Sequence, residues 1–297
     1  MTSSHILLQS DALSLAVAPL GAEMQYLRTA AGEDLLWHGD GAFWSGRAPV
    51  LFPIVGRAVD DTVRAGGQTA AMPQHGFARR SVFALEEQTD TMCRHLLSDT
   101  EESRASYPFA FGLRITHRLE GATLHATAEI NNEGDAPMPF GFGFHPAFNW
   151  PLPRANGQAH HVTLNTGGSP DMRALEDGLL RPEPLEGPFK KGDLEIAEHL
   201  FDEGALVFPN GTDDLRYGPK SGPALAFTFH NLPDLALWRP TGAPFLCIEP
   251  WHGTASYLDD GPEIGERPNS FSLASKESVT FGYSVTFEGE SGSDGLL

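Results

Sequence analysis

Between Phe111 and Ile130 the chain alternates apolar and polar residues twice over, and no other feature limits its fold as tightly. Phe111, Leu113, Ile115, His117 and Leu119 share one parity up to a turn at 120–121, and Leu124, Ala126, Ala128 and Ile130 resume it on the far side. A period of two is what a strand needs to bury one face and wet the other. The segment therefore reads as an antiparallel hairpin.

The same pattern recurs along the chain. Strands are expected at 5–9 and 13–18 around a Ser10–Asp11 turn, at 23–29, and at 35–37 after a turn at 31–34. A second hairpin joins 81–88 to 92–98 around Thr89–Asp90, and further strands fall at 224–230, 235–238, 245–249 and 278–288. The 32 glycines and 23 prolines punctuate these runs, as turn residues do. Many short strands separated by turn signals argue for an all-β chain, a large antiparallel β-sandwich with few short helices. One helical signal starts at Asp193 and spans two short turns to 201. Residues 151–192, rich in proline, glycine and charge, read as long, partly irregular loops around a rim, with HVTLN as their one strand-like piece. With no internal repeat and no break in composition, 1–297 is expected to be a single domain, with 288–297 a frayed tail.

Charge narrows the partners. With 39 acidic and 20 basic residues the formal net charge is −19, which argues against nucleic acid and against an anionic membrane surface. A locally basic pocket remains compatible with it. Cys93 and Cys247 are far apart and form no CxxC motif, so a reduced, cytoplasmic setting is the default. The N-terminal region lacks a basic leader, and no apolar run reaches the roughly 20 residues of a membrane helix.

Two stretches stand out for chemistry. In MPFGFGFHPAFN, at 138–149, Phe140, Phe142 and Phe144 share one strand face, while Gly141, Gly143 and His145 share the other. Glycine within a strand marks a bulge or a close approach of ligand or backbone, and Pro146 forces His145 into an extended conformation. The stretch fits a histidine held out at the end of a cleared track; it also fits a core strand with a buried, satisfied histidine. In FLCIEPWHG, at 245–253, Phe245, Cys247 and Glu249 share a face, and Glu249 precedes Pro250 just as His145 precedes Pro146. A carboxylate among so much hydrocarbon should have a raised pKa, as suits a general base, unless it caps backbone amides. Trp251 beside it offers a flat apolar wall to a sugar ring.

Arg57 in FPIVGR, and His75, Arg79 and Arg80 in PQHGFARR, could serve hydroxyl or phosphate oxygens or be plain surface groups. No HExxH, GxSxG or phosphate-loop pattern is present, and the adjacent His160 and His161 point to opposite faces, so no metal and no serine nucleophile is expected.

Together the segments FPIVGR (52–57), QHGFAR (74–79), FGFGFHPAF (140–148), LFDEGAL (200–206) and PFLCIEPWHG (244–253) resemble the aldose 1-epimerase family, or galactose mutarotases, and its less characterised bacterial branch most of all. The resemblance implies a β-sandwich with a sugar cleft on one sheet face and cofactor-free interconversion of aldose anomers. It implies that His145 is the general acid and Glu249 the general base. Arg57 and His75 would bind sugar hydroxyls, with His75 also steadying charge on the ring oxygen, and Asp202 would accept a hydroxyl. The partner would be a monosaccharide, and the protein a monomer or homodimer. Relatives acting on hexose 6-phosphates share the HGFAR segment but need extra cations; Arg79 and Arg80 are candidates, with no second basic cluster near them, so a free sugar is favoured. A non-catalytic sugar-binding module and a glycosidase using Asp202 with Glu249 are the readings from other classes.

Overall fold

The computed structural model describes residues 5–212 and 214–289. Two large antiparallel sheets face each other across one apolar core. The nine-stranded sheet runs from Asp193–Glu195 through His161–Leu164, Leu215–Gly218, Ala224–His230, Ser278–Glu288, Thr123–Asn132, Phe111–Glu120 and Met92–Ser98 to Ala84–Gln88. The predicted hairpin lies near its middle, with Leu113 opposite Ile130, Ile115 opposite Ala128 and Leu119 opposite Leu124. Its apolar parity is buried, because each residue on that face meets another from the partner strand and then the second sheet.

The eight-stranded sheet runs from Leu179–Leu185 through Met172–Glu176, Leu206–Phe208, Asp234–Trp238, Phe245–His252 and Phe142–Phe144 to Val50–Leu51, and Ala147–Asn149 also pairs with Phe245–His252. Leu235, Leu237, Leu246 and Ile248 point from it into the shared core beside Leu113 and Ile115. The alternate residues, among them Ala236, Trp238, Cys247 and Trp251, pack in separate clusters on its outer face. The one α-helix among the described residues, Glu101–Ser106, is held by a capping box between Thr100 and Ser103.

Several expectations need correcting. The segment 193–201 is not two helical turns: Asp193–Glu195 is an edge strand, and only Glu198–Phe201 coils, as a 3-10 turn. Residues 151–192, expected as partly irregular loops, hold more regular structure than HVTLN alone. Met172–Glu176 and Leu179–Leu185 form a hairpin whose two-residue turn, Asp177–Gly178, has positive φ at both positions (50° and 80°). Asp-Gly suits that turn because glycine, and to a lesser degree aspartate, tolerates left-handed backbone. The strand expected to stop at Glu249 continues to His252. At the C-terminus Glu288 still belongs to the last strand, and 290–297 lie outside the described residues.

Candidate active site

The ladder on one side of Phe245–His252 is interrupted at its centre. Ala147 pairs with Cys247 and Gly143 with Trp251, and this common register sets position 145 opposite position 249. Both positions precede a proline, and a proline has no N–H to give to a ladder. The strands therefore part here, and the Ile248 N–H to Pro146 carbonyl bond (3.1 Å) holds the register across the gap. Cross-strand neighbours present their side chains on one face. His145 Nε2 accordingly lies 3.1 Å from Glu249 Oε2, although the two groups are over 100 residues apart in sequence.

This pair sits in the floor of a cavity of about 490 Å³ on the outer face of the eight-stranded sheet. That volume falls within the roughly 300–1,000 Å³ of small-ligand sites. Around the pair stand Trp44, His75, Arg79, Trp238 and Trp251, with Leu175, Asp177, Gly178 and Glu203 towards the rim. Trp44 stacks on the His145 ring (4.9 Å between centroids, 27° between planes), and Trp238 meets it edge-on at 5.7 Å. Trp44 is itself fixed, since its carbonyl accepts the Trp37 indole N–H and the following residues Arg47 and Ala48 donate to the Glu23 carboxylate.

The glycines of the 138–149 stretch clear space for a side chain. A Cβ at Gly143 would lie 2.4 Å from Cδ1 of Trp251, so only glycine lets that ring lie against the strand. Trp251 is consequently buried, and its indole N–H has no partner. The loops 55–57 and 254–256 close the wall. Gly56, with φ of +67°, packs where a Cβ would lie 2.6 Å from the Ala255 Cα. The buried Arg267 guanidinium donates to the carbonyls of Val55, Arg57 and Thr254 and to the Ser256 hydroxyl, tying both loops together. Gly56 in turn donates its N–H to His75 Nδ1 (3.0 Å), so a neutral His75 carries its hydrogen on Nε2.

Electrostatics follow from burial. The Glu249 carboxyl, 1% exposed, is raised well above the ordinary carboxylate range by desolvation, and its Oε2 accepts no hydrogen bond. Desolvation pushes His145 down to about 3, with Arg79 adding to the effect. His75 is driven well below the usual imidazole value by burial first, then by His145 and Arg79. The contact between His145 and Glu249 is close but is not a hydrogen bond, and Glu249 Oε2 and His145 Nδ1 are both buried without a partner.

The structure brings together His145, Glu249, His75, Trp251 and Arg79 of the residues singled out from sequence, and leaves Arg80 outside the cavity. It places Arg57 and Asp202 elsewhere. The Arg57 guanidinium grips Asp61 through two bonds (2.8 and 2.9 Å), donates to the Asp177 carbonyl, and lines a shallow depression beside the cavity. Asp202 ends the 3-10 turn, exposed and away from the cavity, and its neighbour Glu203 reaches the rim instead. Trp44 and Trp238 were missed because nothing local marks them: Trp238 shares the face of Cys247 only through strand pairing. Asp177 and Gly178 carried a legible signal, the Asp-Gly hairpin turn.

Residues 4–286 match the family described as aldose 1-epimerase. The chain belongs to the aldose 1-epimerase family. Among similar proteins, protein LacX of the plasmid of Lactococcus lactis subsp. lactis is 28% identical, over 94% of this chain and 98% of that protein. A galactose mutarotase related enzyme from Lactobacillus acidophilus superposes with a TM-score of 0.90 at 26% identity, covering 96% of this chain and 97% of that one. A galactose mutarotase-like protein from Lactobacillus casei gives 0.88 at 26% identity, over 96% of this chain and all of that one. The aldose 1-epimerase fold thus extends over the whole sandwich, and the cavity lies on one of its sheet faces.

Proposed function

We propose that this protein interconverts the α and β anomers of a free aldose. The observation that carries the reading is the His145–Glu249 pair, 3.1 Å apart on the cavity floor with unpartnered atoms on both side chains. Ring opening needs a base at the anomeric hydroxyl and an acid at the ring oxygen, and those two oxygens share one carbon. An acid and a base that nearly touch can serve both. Glu249 takes the hydroxyl proton as His145 gives one to the ring oxygen; the C1–C2 bond turns, and the ring closes on the other carbonyl face with the roles reversed. Each positioned transfer is worth about 10²–10⁴-fold. Burial by itself favours the neutral imidazole with the protonated carboxyl, and the working ionic form holds the same single proton. The sugar's hydroxyls, hydrogen-bonding the carboxylate, favour that ionic form.

His75 Nε2–H, the Trp251 indole N–H and Arg79 supply donors to the sugar. Among the described residues Arg79 is the one arginine or lysine lining the cavity, and Asp177 and Glu203 face it from the rim, which disfavours a 6-phosphate. The unpaired, buried Cys93 and Cys247 accord with a reducing, cytoplasmic setting. Among the described residues no helix is long and apolar enough to cross a membrane.

The test is polarimetry of freshly dissolved α-D-glucose and α-D-galactose. Acceleration over the spontaneous rate is expected, and Glu249→Gln should abolish it while thermal unfolding stays unchanged. Sugar binding by calorimetry without acceleration would make this a binding module, and acceleration confined to a 6-phosphate would overturn the preference for a free sugar.

A further inference from the structure

A third metal-binding side chain, the buried Cys247, packs beside the two residues assigned to acid–base work. Cys247 lies two residues before Glu249 on the same strand, so both project to the same face. His145 stands opposite Glu249 and diagonal to Cys247, and the fourth corner of this square is Ala147, too short to fill the middle. Imidazole nitrogen, thiol sulfur and carboxylate oxygen consequently all lie within 4.8 Å of one another. Glu249 Oε2, the carboxylate oxygen nearest His145 Nε2, is buried without a hydrogen-bond partner. Among the described residues no other group of histidine, cysteine and carboxylate side chains converges in this way.

We propose that His145, Cys247 and Glu249 form a binding site for a soft divalent cation, Zn²⁺ or Cd²⁺, and that the bound ion shuts off the reaction. That the ion inhibits rests on the proposed mutarotase activity; that it binds does not. One nitrogen, one sulfur and one oxygen donor suit zinc, and the thiolate selects it over calcium or magnesium. Metal–ligand bonds of about 2.0–2.3 Å in a tetrahedron put the donor atoms roughly 3.2–3.7 Å apart. The Nε2–Oε2 separation is already 3.1 Å, so closure asks mainly for a shift of about 1 Å by the thiol. The fourth position faces the cavity and takes solvent. On binding, the Cys247 S–H bond and the O–H bond of the protonated Glu249 carboxyl break, the sulfur–metal and oxygen–metal bonds form, and both protons leave to solvent. No electron is transferred and no other reactant is consumed. The ion occupies the lone pairs that would otherwise accept the anomeric proton, so the carboxylate no longer acts as a base.

Titration of the full chain with Cd²⁺ tests this. One equivalent should bind with an ultraviolet thiolate-to-cadmium charge-transfer band. Mutarotation of α-D-glucose should fall about 10-fold or more, in line with an occupied site, and recover with a chelator. Cys247→Ala should lose the band and the inhibition while keeping the mutarotase rate and the unfolding temperature. Cys93→Ser, which removes the other thiol, should keep the band, and should Cys247→Ala not fold, the Cys93→Ser titration carries the test. No band in the native chain, a band that survives Cys247→Ala, or a band lost in Cys93→Ser would overturn the site. Should the protein not accelerate mutarotation at all, the band and its loss in Cys247→Ala still decide the binding claim, so the two failures are separable.

Discussion

At the scale of residues, the pair on the cavity floor makes a sharp statement about pH. A lone catalytic histidine would lose its active form near its ordinary value of about 6.5. Here burial pushes His145 down to about 3 and raises Glu249, so the pair keeps one proton across the range between. The expected outcome is a kcat/KM for mutarotation that is flat as pH falls from 7 to about 5 and declines only as pH rises through the elevated carboxyl value. A histidine-like inflection on the acid limb would show that the active-site imidazole is not held neutral. The arginines give a second test. Arg57 is committed to Asp61, whereas Arg79 lines the cavity and spends one N–H on the Gln74 carbonyl. Arg57→Ala should change KM by less than about 3-fold and Arg79→Ala raise it about 10-fold or more, a difference of about 1 kcal/mol or so in substrate binding. Equal effects would mean that the two guanidiniums share the sugar.

At the scale of elements, the site depends on loops and strands that meet only because small or buried groups allow it. Gly143→Ala would drive a methyl into the Trp251 ring at 2.4 Å. The expected cost is about 1–3 kcal/mol in denaturant unfolding, with a raised KM because the ring carries one wall of the cavity. Arg267→Met removes the donor shared by three carbonyls and a hydroxyl on loops 55–57 and 254–256. Buried carbonyls left without a donor should cost roughly 3 kcal/mol or more. Since the same loop holds His75 through the Gly56 N–H, KM should rise more than kcat falls. The end of the central strand is secured separately: the buried Asp234 carboxylate accepts from Gly253 N–H, Asn210 N–H and the Asn269 amide.

At the scale of the whole molecule, buried histidines set the response to acid. His75, His95, His117, His145 and His160 all have folded values below 6.5, chiefly through desolvation, and His117 is pushed down to about 3. With the folded value depressed, the stabilising contribution is complete above the unfolded value and is lost as pH falls below it. Each histidine that protonates only on unfolding removes about 1.4 kcal/mol per pH unit. Glu249 and Asp234, raised by burial, act in the opposite sense and are outnumbered. Tm should therefore fall steadily from pH 6.5 towards pH 4.5, and fall less in His117→Phe; a Tm that is constant over that interval would contradict the buried, neutral state of these rings.

The amino-acid sequence alone determined the local facts. Period-two alternation placed the hairpin of 111–130, because burying one face of a strand demands it. The parity of 245–249 put Cys247 and Glu249 on one face, and the two X–Pro steps put His145 and Glu249 in extended backbone. What the tertiary structure alone decided was register: that Ala147 meets Cys247, and hence that His145 comes to stand across from Glu249, is a long-range pairing no local pattern encodes. The same holds for Trp44 and Trp238, which reach the imidazole from other parts of the chain, and for Arg57, whose side chain found Asp61. Side-chain direction follows from a two-residue period along the chain, whereas the partner across a strand is fixed by packing of the entire core.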